Sequence, residues 1–411
     1  MLVSKKSKFL YLYAFTLFIL SALYGLLMRW NFAFPTKFIP YQNLLQSHSH
    51  VAFLGWGYLS VIGAIIYYFV LDNHKKNKVY KATLTILFVV IPLMLISFPL
   101  GGYKVFSIVL LAVFGLTSYV LSFRILKDLQ GNNTSAKLIR FGIYYYLLSS
   151  LATWFLAFVI VTQGKTDLYY NTVYFYLHFL YNGFFVFALF GLLFKILENQ
   201  QLVISEKLKQ HFFWYLNLAC IPAYALSVLW STDDLLFNAV GFVASVLQFI
   251  SLVFLIKIML QAFSQINWSF TSKLLLKFAL ISYTLKILSQ ILSAFPYFVE
   301  KSLALKPFFI IGYLHLFTLG FLSVFLFLIV SQLGKINLEK PTSKVGLIFF
   351  LSGIFITESL LFLQGFLFML QVDAIKNYNF FLLIFSFLMV IGLLVIYINQ
   401  FSRQLIIKKT L

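Results

Sequence analysis

The sequence is poor in charged residues, above all in acidic ones. Only 10% of its 411 residues are charged, and 11 Asp and Glu stand against 31 Lys and Arg. So few charges cannot cover the surface of a water-soluble domain, whereas 62% hydrophobic residues suit a chain surrounded by lipid. The composition therefore indicates an integral membrane protein.

Cysteine is almost absent as well. The single Cys220 lies in an apolar run, which excludes an internal disulfide and a cysteine-based metal cluster. The chain also has no Cys-x-x-Cys-His segment, the motif that attaches haem covalently. Prolines number only eight, so few of the long apolar runs are interrupted.

The sequence contains twelve long apolar runs. Each is roughly 20 residues or longer, the length that a helix needs to cross about 30 Å of hydrocarbon at about 1.5 Å per residue. The sequence thus predicts an all-α polytopic membrane protein with one transmembrane domain over residues 1–411. The predicted spans are 8–29, 43–71, 79–99, 103–127, 137–163, 170–197, 208–230, 235–263, 270–295, 305–334, 343–370 and 377–402. No small-residue cleavage site follows the first, so we expect it to be retained.

The basic residues predict the orientation. If the N-terminus with Lys5, Lys6 and Lys8 is cytoplasmic, the inner loops and tails, which end with Arg403, Lys408 and Lys409, carry 23 Lys and Arg. The outer loops, including Lys37, carry seven, and Lys286 lies inside a span. This bias favours cytoplasmic N- and C-termini, in a bacterial inner membrane. The net charge of +20 is explained by topology, and we do not expect nucleic-acid binding.

One short pattern occurs three times. It is (His/Tyr)-x-His-x4-Gly-(Trp/Phe), found as His48-Ser-His50 before Gly55-Trp56, Tyr176-Leu-His178 before Gly183-Phe184, and Tyr313-Leu-His315 before Gly320-Phe321. The anchor histidines lie 128 and 137 residues apart, with four spans per interval. This period predicts three pseudo-repeated four-helix arcs, covering approximately 8–127, 137–263 and 270–402.

Four histidines share one predicted depth in the membrane. His48, His50, His178 and His315 lie near the outer ends of spans 2, 6 and 10. Polar groups in hydrocarbon are costly and are usually functional, although an interhelical hydrogen bond is the alternative explanation. Two histidines on facing helices suit a haem with imidazole on both faces. His48 is about 200° around the helix from His50, so the two cannot face one centre without local distortion of the helix.

These segments resemble the catalytic subunit of the haem-copper oxidases, particularly the C-type oxidases and the bacterial nitric oxide reductases. His50-Val-Ala-Phe-Leu-Gly-Trp is similar to the helix that carries one axial histidine of the low-spin haem. Gly312-Tyr313-Leu-His315 is similar to the helix that carries the other, with Tyr313 in place of the high-spin haem ligand. The resemblance implies His50 and His315 as the axial pair. The segment around His178 is similar to the helix that supplies a copper ligand in that family.

The departures from that family concern its second metal centre. Span 7 lacks the adjacent His-His pair that completes the copper site, so we expect copper to be absent. The compact chain is also similar to the NnrS family, another haem-binding group with twelve helices, although Val51 stands where that family has an acidic residue. His48 is expected to hydrogen-bond a neighbour or a haem propionate.

Two charged residues fall inside spans. Lys286 in span 9 and Glu358 in span 11 lie at comparable predicted depths, and pairing would reduce the cost of burying either. Proton transfer or a contact from Lys286 to a haem propionate is the functional interpretation. A structural ion pair or a Lys286 side chain that reaches the interface is the alternative.

Three functions are compatible with these features. The first is a membrane protein with one b-type haem, ligated on both faces, for electron transfer or for redox or gas sensing. The second is an oxidase or nitric oxide reductase with an atypical second centre that includes His178 and Tyr313. The third is a secondary transporter, because twelve spans are common among transporters. A quinol, a cytochrome or other membrane subunits are the expected partners of the first two, and the lipid bilayer surrounds all three.

Overall fold

The computed structural model describes residues 8–35 and 40–401. Within these ranges it is helical with no β-strand, and eleven helices are long and apolar enough to cross a membrane. A twelfth span consists of two helical pieces bent by 47°. The prediction of an all-α polytopic membrane protein is therefore confirmed. Some residues used for the orientation lie outside the described part, namely Lys5, Lys6, Lys37, Arg403, Lys408 and Lys409.

The observed spans fall close to the predicted ones. We number them in chain order as spans 1 to 12: Phe9–Ala33, Tyr41–Phe69, Lys78–Gly101, Val105–Asp128, Thr134–Thr162, Asp167–Asn199, Glu206–Cys220 with Pro222–Ser231, Leu235–Phe263, Phe270–Ser293, Lys306–Gln332, Pro341–Met369 and Tyr378–Asn399. Two short helices, Asp72–Lys75 and Pro296–Ala304, lie in connections between spans.

The described residues form two compact units. The first unit contains the chain as far as Asp128, the segment Ser269–Lys277 and the chain from Thr318 onward. The second unit contains Leu129–Trp268 and Phe278–Phe317. The division into three four-helix arcs stays a prediction.

Spans 2, 6 and 10 differ from the other spans in burial. In the most apolar stretch of each span, the share of buried residues is 78% in span 2, 89% in span 6 and 72% in span 10. In the other unbroken spans it is 33–50%. A helix that is buried all round has no lipid-facing stripe, and its polar groups must find partners inside the protein. These three are the spans that carry the repeated histidine pattern.

Each of these three spans also widens into a π-helix at the same place. The π-helical segments are Val51–Tyr58, Phe179–Phe185 and Leu316–Ser323, and each begins directly after the anchor histidine of its repeat. π-Helical turns are rare and frequently occur at functional sites. The recurrence of this irregularity shows that the sequence pattern has a common structural effect.

A carboxylate accepts hydrogen bonds from a neighbouring span at two places near the ends of the spans. Glu206, which begins span 7, accepts hydrogen bonds from the Thr134 hydroxyl and backbone N–H at the start of span 5. Glu339, just before span 11, accepts hydrogen bonds from Ser269 and Thr271 at the start of span 9. Each carboxylate therefore joins the first and third helices of its predicted arc.

Glycines bring spans 11 and 12 into close contact. A Cβ atom at Gly392 would lie 2.5 Å from the carbonyl oxygen of Gly346 and 2.6 Å from the backbone nitrogen of Phe350. Small residues of this kind allow transmembrane helices to pack backbone against backbone.

We expect Gly392→Ala to lower the free energy of unfolding by about 1–3 kcal/mol, because the added methyl group forces two backbones apart. Thermal unfolding in detergent measures the effect. Gly101→Ala is the matched control, since its Cβ atom would meet only the flexible Lys104 side chain, at 3.4 Å. Equal melting temperatures for the two variants would contradict the close packing.

A pH dependence is expected from Glu339. Burial acts to raise the pKa of this carboxyl, but hydrogen bonds from Ser269, Lys344 and Thr271 outweigh it and hold the pKa below its usual 4.5. A lowered pKa in the folded state stabilises the protein above pH 4.5 and loses this effect as the pH falls through the lower value. The stability difference between wild type and Glu339→Gln should thus be largest near neutral pH and shrink below pH 4.5, with exposed Asp373→Asn as the control.

Candidate functional site

His50 is held in one tautomer by its own helix. Its Nδ1 lies 2.8 Å from the carbonyl oxygen of Gln46, one turn earlier, and therefore donates to it. Its Nε2 lies 3.2 Å from the hydroxyl of Tyr103 and accepts from it, while the ring stacks on Phe98 at 4.8 Å. In this tautomer the Nε2 lone pair is the one available to a ligand, and the Nδ1 hydrogen bond fixes the plane of the ring.

His48 lies against span 1 instead. Its Nδ1 donates to the carbonyl oxygen of Ser21 at 2.8 Å, and the Ser21 hydroxyl donates to the carbonyl of His48 at 2.8 Å. Gly25 makes room for the ring, because a Cβ atom there would lie 2.9 Å from the imidazole Cε1. The expected hydrogen bond from His48 to a neighbour is present. Its relation to a haem propionate stays a prediction.

His178 is fully enclosed and has protein partners at both ring nitrogens. Its Nε2 donates to the carbonyl oxygen of Cys220 at 2.8 Å, and its Nδ1 lies 3.3 Å from the amide nitrogen of Asn182. The Ser227 hydroxyl is 3.4 Å from the same Nδ1. The imidazole therefore joins span 6 to span 7.

The break in span 7 explains this contact. Its first helix ends at Cys220, and the chain continues through a 3₁₀ turn at Pro222–Tyr224, in which the Tyr224 N–H bonds to Ile221. The Cys220 carbonyl thus loses its helical partner in an environment without water. His178 supplies the missing donor, as neighbouring side chains do at breaks in transmembrane helices.

The third anchor histidine ends the first segment of span 10. His315 is half-buried and precedes the π-helical segment Leu316–Ser323. Tyr313, two residues earlier, belongs to the second unit, as His315 does. His50 belongs to the first unit and His315 to the second, so their pairing stays a prediction. Within the described residues, no group of three or more His, Cys, Asp and Glu side chains is placed to hold a metal ion.

Lys286 and Glu358, the two charged residues singled out from the sequence, have different neighbours. Lys286 is 1% exposed, and its Nζ donates to Oε1 of Gln248 at 3.2 Å. Glu358 is buried in the first unit, where its charged neighbour is Arg29 of span 1 and Tyr378 lies alongside. A Lys286–Glu358 pair would join the two units, and it stays a prediction.

Comparison of the sequence with known proteins does not assign the chain to a family. The sequence matches no protein-family model and no curated protein. Its function is therefore inferred from its own residues, chiefly the anchor histidines and the polar groups buried beside them.

We expect His178→Phe to destabilise the protein by about 1–3 kcal/mol, because the Cys220 carbonyl would then be buried without a donor. The ring of Phe fills nearly the same space, so the loss reports the hydrogen bonds and not a cavity. Chemical denaturation followed by circular dichroism measures it. His211→Phe is the control, since His211 bonds only within its own helix and lies less buried. A His178→Phe variant as stable as wild type would show that the contact is dispensable.

Proposed function

We propose that this chain is a membrane protein that binds one b-type haem, with His50 and His315 as axial ligands. The observation that supports the proposal most is a π-helical segment that directly follows each of these histidines. Both segments lie in spans that are buried nearly all round. Such irregular turns cost stability and are usually retained where they serve a site.

A contact between spans 2 and 10 supports the choice of these two helices. Trp56 of the first π-helical segment donates from Nε1 to Oγ of Ser323, the last residue of the third, at 3.2 Å. Both residues are buried, and both belong to the first unit. Spans 2 and 10 therefore meet directly just beyond the segments that carry His50 and His315.

The residues around His50 fit a haem ligand. Nδ1 of His50 is committed to the Gln46 carbonyl, so Nε2 is the ligating nitrogen, and this is the arrangement by which proteins orient metal-bound imidazoles. Phe98 and Tyr103 give the ring an aromatic wall on one side. His178 fits less well, because both of its nitrogens are occupied by protein groups.

A haem with two axial imidazoles supplies one-electron chemistry without an open iron position, which suits electron transfer or sensing of redox state or gas. The chain contributes the ligands, their orientation and an apolar surrounding that excludes water. A quinol, a cytochrome or another membrane subunit would exchange the electron. The charge bias favours both termini in the cytoplasm. A bacterial inner membrane is the proposed location.

A secondary transporter is the second candidate. The 47° break in span 7, beside the buried Lys286 and Gln248, is the observation that favours it, because interrupted helices often form substrate sites in transporters.

Absorption spectra of the purified protein, oxidised and reduced, test the haem proposal. We expect sharp low-spin bands in wild type and in His48→Ala, and loss of haem or conversion to high spin in His50→Ala and in His315→Ala. Metal analysis of the same preparations should find iron without stoichiometric copper. A colourless wild-type protein would favour transport, and a low-spin spectrum that survives His50→Ala but not His48→Ala would overturn the ligand assignment.

A further inference from the structure

Two irregular stretches of backbone meet beside Lys286 in the second unit. Asn182 belongs to the π-helical segment of span 6, and Cys220 ends the first helix of span 7. Both residues line the same narrow space as Lys286. Irregular backbone at membrane depth is tolerated only where it is buried in protein or lines a cavity, and such places often bind ions.

The space lies deep within the spans. Asn182 and Gln248 stand close to the middle of spans 6 and 8, and Lys286 stands in the last third of span 9. The space between these side chains is too small to admit a water molecule in this arrangement. This cleft is narrow, and a bound ion would require the flexible Lys286 and Gln248 side chains to move apart.

Two buried amide atoms beside Lys286 lack hydrogen-bond partners, the donor Nε2 of Gln248 and the acceptor Oδ1 of Asn182. Lys286 uses one donor on Oε1 of Gln248 at 3.2 Å, and Nε2 of Gln248 is buried without a hydrogen-bond partner. Gln248 itself is 3% exposed. An amide donor left without an acceptor beside a buried ammonium group is costly for a protein interior.

Among the described residues, no acidic side chain lines the cleft. The acidic residues of the second unit all lie at helix ends, in connections or in a short connecting helix: Asp167, Glu198, Glu206, Asp233, Asp234 and Glu300. A buried cation without a counter-charge is strongly destabilising, and a bound anion would remove this penalty.

We propose that Lys286 and Gln248 form a binding site for a small monovalent anion of halide size. The ammonium group of Lys286 supplies the charge, and Nε2 of Gln248 supplies a second donor once the amide turns toward the anion. The site is separate from the haem proposal and does not depend on it. A purely structural Lys286, hydrogen-bonded to Gln248 in an uncharged state, is the competing explanation.

Thermal unfolding of the full-length protein in detergent, titrated with sodium bromide against sodium gluconate, tests the proposal. An anion that binds the folded state raises the melting temperature in a saturable manner. We expect saturable stabilisation by bromide in wild type and at least a roughly tenfold weaker apparent affinity in Lys286→Gln. Lys257→Gln is the matched control, because it removes the same charge from an exposed position on span 8. Its bromide response should equal that of wild type.

A second variant keeps the test decisive if Lys286→Gln fails to fold. Gln248→Glu places a carboxylate 3.2 Å from the position of Nζ and would act as an internal counter-ion. We expect this variant to melt at a higher temperature than wild type without bromide and to lose the bromide response. The proposal is overturned by a wild type that shows no saturable bromide effect, by a Lys286→Gln variant that keeps it, or by a Gln248→Glu variant that keeps it.

Discussion

Every backbone polar group inside a bilayer must find its partner within the protein, because no water is present to replace it. This requirement explains why the described chain is almost entirely helical. It also makes the exceptions informative, since each departure from α-helix leaves groups that something else must satisfy. Four spans depart from it, at the three π-helical segments and at the break after Cys220.

The same requirement determines where polar side chains are placed. His178 donates to the carbonyl that the break in span 7 releases, and Ser323 both accepts from Trp56 and donates to the carbonyl of Thr318 within its π-helical segment. These side chains make structural hydrogen bonds, so their presence in the membrane is explained without a catalytic or ligand-binding role. A functional assignment is strongest for an imidazole whose second nitrogen is not used in this way, and His50 meets that condition better than His178.

The spans could be predicted from the sequence, because the length of an apolar run responds directly to the thickness of the membrane. The π-helical segments could not be predicted. Close tertiary contacts occur at one of them, since a Cβ atom at Gly183 would lie 2.4 Å from that of Tyr145. The break in span 7 was missed as well, because 208–230 was predicted as one continuous span although Pro222 lies within it. Nothing in the sequence showed that His178 would satisfy the released carbonyl. The neighbours of Lys286 and Glu358 likewise depended on packing between helices.

The three repeats share a π-helical segment after the anchor histidine but differ in the contacts that their histidines make. His50 and His178 precede π-helical segments at equivalent positions, yet His50 donates to its own helix and directs Nε2 toward Tyr103, whereas Nε2 of His178 is committed to another span. The repeated pattern therefore specifies the local backbone and not the role of the side chain. In span 7 the helix breaks between Cys220 and Pro222, and His178 bonds to the carbonyl that the break releases. The structural role of His178 thus follows from the break in span 7 and not from the repeated pattern.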